Sequence, residues 1–68
     1  MVKRKYGITV AGQLGSAART AFADLEIVPD PESEVTLLRG SLDQAGLFGV
    51  LHQIQSLAII LLEVRRLD

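Results

Sequence analysis

The chain contains no cysteine, no tryptophan and only one histidine. Without cysteine there are no disulfides, no thiolate nucleophile and no sulfur-ligated zinc. No nucleotide-phosphate motif, zinc spacing or Ser-His-Asp set can be assembled from the chain, and His52, a lone histidine on the polar side of a helix, reads as a solvated residue. The chain is therefore expected not to be an enzyme, and no cofactor or metal is expected. Charge of one sign is lacking too: seven Lys and Arg against eight Asp and Glu leave a net charge of −1. No global field favours nucleic acid or an anionic membrane. Aromatic residues make up 4% of the chain, as Tyr6, Phe22 and Phe48. The longest uninterrupted apolar run, Leu57 to Leu62, is six residues, far short of the roughly 20 needed to cross a bilayer. Lys3-Arg4-Lys5 is followed by the alternating Tyr6-Gly7-Ile8-Thr9-Val10, not by the continuous apolar core of a signal peptide. A cytoplasmic protein with no membrane association is expected.

What the chain does have is apolar surface. Hydrophobic residues are 49% of 68, with six glycines and two prolines, which indicates a packed globule. A single domain of this length buries only about 60% of the surface its unfolded chain exposes. Domains this small are commonly reinforced by disulfides, a metal or an oligomeric interface. Here oligomerisation is the route left open.

Apolar and polar residues alternate from Lys5 to Gln13, which predicts a first strand, with Gly12 on the apolar parity where a helix can pack closely or the strand can bend. Gly15-Ser16 breaks the pattern and offers Ser16 as the N-cap of a two-turn helix carrying Ala18, Phe22 and Leu25. Leu25 to Val28 reads as a second strand. Pro29-Asp30-Pro31-Glu32-Ser33 reads as a turn, because proline cannot continue a ladder. Asp30, Glu32 and Glu34 read as a solvated tip, since a calcium loop needs about six to eight oxygens in fixed geometry. Glu34 to Leu42 predicts a third strand, antiparallel to the second. Asp43 or Ser41 caps a second helix whose Leu47, Val50, Leu51, Ile54 and Leu57 recur at spacings of three and four. Gly46 and Gly49 weaken that helix by about 1 kcal/mol each. A closing strand begins at Ala58, with Ile60, Leu62 and Val64 on one face and Ile59 and Leu61 on the other.

Strand, helix, strand, strand, helix, strand is the order of an α+β, ferredoxin-like fold. Right-handed crossovers place both helices on one face of a four-stranded antiparallel sheet, with the first and third strands central. One such domain is expected over residues 1–68. The other sheet face is left open, lined by Gly7, Thr9 and Ala11 from the first strand, Val28 from the second, Val35 and Leu37 from the third, and Ile59 and Leu61 from the fourth. A bulge near Glu63 would exchange the faces of the fourth strand. These eight residues are the candidate interface. Its five larger aliphatic side chains, buried at about 1.5–3 kcal/mol each, would drive association against the costs of docking.

The pattern Tyr6-x-Ile8-x-Val10-x-Gly12-x-Leu14, then Thr36-x-Leu38-x-Gly40-x-Leu42-Asp43-Gln44-Ala45-x-Leu47-x-Gly49, then Arg65-Arg66-Leu67, resembles a group of small actinobacterial proteins with no assigned activity. The resemblance spans nearly the whole chain and implies no function. Its pattern commonly has histidine at the position of Phe48 and a polar residue at that of Ile60, so this chain is the more apolar at both. By fold alone the chain is also similar to ACT-type regulatory modules, which bind small molecules between copies. That similarity implies a carboxylate held by Gly15 and Ser16 in the loop after the first strand; a plain turn and helix cap is the other reading of those residues.

RNA-recognition domains share the strand order and stack bases on aromatic residues of the central strands. The matching positions here are Gly7, Thr9, Ala11, Val35 and Leu37, so nucleic-acid binding is not expected. Phe48 and His52, four apart on the second helix, form at most a small contact patch. The expectation is a non-enzymatic interaction module, a homodimer or higher homo-oligomer packed through the open sheet face, with pairing through an edge strand and a heterologous protein partner behind it. An ACT-like sensor of a small molecule at a subunit interface is the competing reading.

Overall fold

The computed structural model describes residues 2–68. Its elements run β1 (Arg4–Ala11), α1 (Ser16–Ala21), β2 (Glu26–Asp30), β3 (Val35–Leu42), α2 (Gln44–Ser56) and β4 (Leu61–Arg66). The strands form one antiparallel sheet in the order β2-β3-β1-β4, which is the ferredoxin-like topology anticipated above. Among the described residues no helix is long and apolar enough to cross a membrane.

Alternation along the central strands sets the core. Ile8 and Val10 of β1 lie opposite Leu38 and Thr36 of β3, and all four are buried. Residues opposed in an antiparallel ladder share a face, so this row marks the side on which the helices pack. Ala18 and Phe22 from the α1 segment, Leu14 from the loop before it and Ile54 from α2 complete the cluster. The polar member, Thr36, donates its hydroxyl to the Gly12 carbonyl at 2.7 Å, and no buried side-chain polar atom among the described residues lacks a partner. Gly12 leaves β1 at φ +78°, a conformation that costs a side-chain-bearing residue about 1–2 kcal/mol.

The helix ends follow from local chemistry. Asp43 caps α2, its carboxylate accepting from the Gly46 N–H at 2.7 Å. At the other end Ile59 donates to the Ile54 carbonyl at 3.0 Å and Ala58 to that of Gln55 at 3.1 Å, the paired bonds of a Schellman motif. The left-handed position of that motif, φ +57°, is held by Ala58 and not glycine. Ala58→Gly is accordingly expected to stabilise the fold by about 0.5–1 kcal/mol, read as a higher denaturation midpoint.

Three differences from the expected boundaries have a local cause. The cap of α1 is Gly15, with no side-chain bond, and Ser16 is the first helical residue, its carbonyl accepting from Thr20 Oγ1 at 3.0 Å. Pro29 lies within β2, opposite Thr36; as an edge strand β2 tolerates a residue without an N–H. The last strand starts at Leu61 and not at Ala58, because the Schellman turn takes up Ala58 and Ile59.

Candidate interaction surface

The open face can be read from the register. Gly7, Thr9 and Ala11 lie opposite Arg39, Leu37 and Val35, and Val28 lies opposite Leu37, so six of the eight candidate residues share the face turned away from the helices. Ile59 and Leu61 do not. Ile8 pairs with Val64 and Thr9 with Glu63, but Val10 pairs with Leu61, which leaves Leu62 as an unpaired β-bulge. The slip puts Leu61 and Val64 on the helix side with Val10 and Ile8, while Ile59 packs against the core.

Other residues of the last segment take the open face. Ile60 accepts the Ala11 N–H at 2.9 Å, Glu63 is opposite Thr9 and Arg65 is opposite Gly7. Leu67, whose N–H donates to the Lys5 carbonyl at 2.8 Å, follows the same parity. A Cβ placed on Gly7 would meet the methyls of both Leu67 and Leu37 at 3.4 Å. Leu37 and Leu67 thus flank the centre of the sheet at Gly7, where a Cβ would come into contact with both.

The face is less apolar than its candidate residues suggested. On one flank Arg39 donates through Nε and Nη2 to Glu26 Oε1, at 3.0 and 2.8 Å; on the other Arg65 Nη2 lies 3.7 Å from Glu63 Oε2. Such exposed pairs are each worth about 0.2–1 kcal/mol. They frame a strip formed by Val28, Val35, Leu37 and Leu67. The Asp68 carboxyl, which follows β4, sits below its usual range: desolvation opposes the shift, but hydrogen bonds from the Lys5 backbone and from Arg66, with the Arg66 charge, outweigh it.

The greater exposure lies along β4, the outermost strand beside β1, where all six residues are exposed. Leu61 and Val64 point to the helix side yet remain 43% and 39% exposed. Between Leu61 and α2 runs a groove of about 330 Å³ lined by Leu51, Ile54, Gln55, Ile59 and Leu61. On α2 itself, Phe48 is 58% exposed and His52 is exposed, as their spacing implied.

The loop thought able to hold a carboxylate, with Gly15 and Ser16, lines a separate hollow of about 500 Å³ together with Leu57 to Ile60. In the β2–β3 turn Asp30 Oδ1 accepts the Ser33 N–H at 3.3 Å, and among the described residues no three His, Asp or Glu are grouped to hold a metal ion.

Glu63, Arg65 and Leu67 escaped the sequence reading of the face, and Ile60 entered it only through the exchanged phase of the fourth strand. A signal for Leu67 existed, since its parity continues that of Glu63 and Arg65. For Ile60, both parities of the segment were apolar and only the bulge decides.

Residues 5–65 match the model of a family described as a domain of unknown function, DUF8691, and the chain belongs to that family. Comparison with curated proteins and with solved structures gave no match.

Proposed function

We propose that this member of the DUF8691 family is a non-enzymatic interaction module that works in the cytoplasm as a homodimer. The observation that carries this reading is the clustering of exposed apolar side chains. Leu57, Ile60, Leu61, Leu62, Val64 and Leu67 all leave more than a third of their surface in water, within one short stretch of a small domain. Scattered exposed leucines are ordinary; a contiguous set along one edge marks a contact surface. Docking through the open sheet face, the geometry expected from sequence, is less well supported than association along β4. The bulge moves Leu61 off that face, and the Glu63–Arg65 pair takes part of its place.

Light scattering across a concentration series tests the proposal. The wild-type chain is expected to be dimeric at micromolar concentration. Leu61→Lys, which replaces a 43% exposed side chain, is expected to shift it toward monomer, since burying a charge without a partner is costly. A monomeric wild type, or a Lys variant that dimerises unchanged, would sink the idea.

A second reading, an ACT-like sensor binding a small molecule between copies, is favoured by one feature: the loop from Gln13 to Ser16 walls the hollow below Leu57 to Ile60. It requires that a ligand raise the thermal midpoint. At a hundred times its dissociation constant a binder stabilises the folded state by about 2.7 kcal/mol. Silence across amino acids and nucleotides would rule this reading out.

A further inference from the structure

We infer that two copies join by antiparallel pairing of β4 with β4 along a two-fold axis through Val64, so that each Glu63 lies opposite Arg65 of the partner subunit. This deepens the proposed self-association and rests on it.

The backbone supplies the first argument. Leu67 donates to Lys5, so the residues of its parity, Glu63 and Arg65, turn their peptide groups toward β1. Alternation then presents the N–H and C=O of Val64 and Arg66 on the outer side of the strand. No strand lies beyond β4 among the described residues. A second copy in antiparallel orientation satisfies these groups, with reciprocal bonds between the two Val64 residues.

Side chains select the register. Opposed residues must share a face, so the axis must pass through a residue. Through Glu63 it opposes two carboxylates, and through Arg65 two guanidinium groups. Through Val64 it opposes valine to valine on the helix side and glutamate to arginine twice on the open side. Of these three registers, the one through Val64 alone avoids a like-charged pair and sets opposite charges face to face, and cross-strand opposite charges stabilise an antiparallel pair where like charges destabilise it.

The other edge of the sheet rejects the same arrangement. β2 carries Pro29, which has no N–H to give, and an axis through Val28 would set Glu26 against Asp30 of the partner subunit. Proline and like charge are common guards of exposed edges. One edge is thus blocked and the other is self-complementary, which favours a closed dimer over an open chain of copies.

The test is a charge exchange, using the 68-residue chain at low salt and sedimentation equilibrium. Glu63→Arg and Arg65→Glu each convert two attractive contacts into two repulsive ones, and each is expected to weaken the homodimer by roughly ten- to a hundredfold. An equimolar mixture of the two variants is expected to recover wild-type affinity as a heterodimer, and so is the double variant E63R/R65E as a homodimer. Both positions are exposed, and circular dichroism confirms that the variants fold. A wild-type dimer indifferent to either reversal, a mixture that fails to recover, or a ladder of larger species overturns the register while leaving self-association standing. A wild type that is monomeric throughout overturns both.

Discussion

Phe22→Ala is expected to cost about 3–5 kcal/mol, the largest loss from any single truncation in this chain. A domain of this length has a total stability on the order of 3–10 kcal/mol, so the variant should populate its unfolded state heavily in buffer alone. The reason lies in α1. At six residues it is far below the roughly 12–15 at which an isolated helix becomes marginal, and its cap makes no side-chain bond. Packing must hold it. Ala18 and Phe22 are the contacts that do so, and Phe22, just past the helical end, is 2% exposed. A urea titration at fixed protein concentration checks this; an unchanged midpoint would mean that the ring is not the anchor.

The second large effect belongs to the other helix. Ile54 is the buried residue of α2, where Leu47, Val50 and Leu51 are only half-buried against the same cluster. Ile54→Ala is expected to cost about 2–5 kcal/mol through lost transfer energy and the cavity left behind. Its consequences extend past the helix, because Ile59, in the turn that leads to β4, packs its side chain against the same cluster. Amide exchange should quicken through α2 and the following turn along with the fall in midpoint. His52→Ala, two residues away and exposed, provides the control and should stay within about 0.5 kcal/mol of wild type. Equal effects from the two substitutions would contradict this assignment of the core.

The topology was legible because its signals are local. Alternation in Tyr6-x-Ile8-x-Val10, the spacing of Leu47, Val50, Leu51 and Ile54, and an aspartate at the start of α2 each depend on neighbours within a few residues. Pro29 misled for an instructive reason. The rule that proline ends a strand assumes a ladder on both sides, and an edge strand has only one. The candidate surface was harder to read because a run such as Ile59-Ile60-Leu61-Leu62 gives no contrast between its faces. Its phase was set by the Schellman turn upstream and the bulge at Leu62, and both depend on pairings across the sheet. Six of the eight candidate residues lie on the anticipated face because their strands have no such slip.

The bulge has a consequence for how the chain tolerates changes of length. Leu62 is the residue of β4 that the ladder skips: Val10 reaches Leu61 on one side of it and Thr9 reaches Glu63 on the other. A chain lacking Leu62 keeps every one of these pairings, at the expense of a local bend. A chain lacking Val64 instead shifts everything after it by one place and turns each following side chain to the opposite side of the sheet. Position 62 is therefore where this strand can lose a residue and still be the same strand.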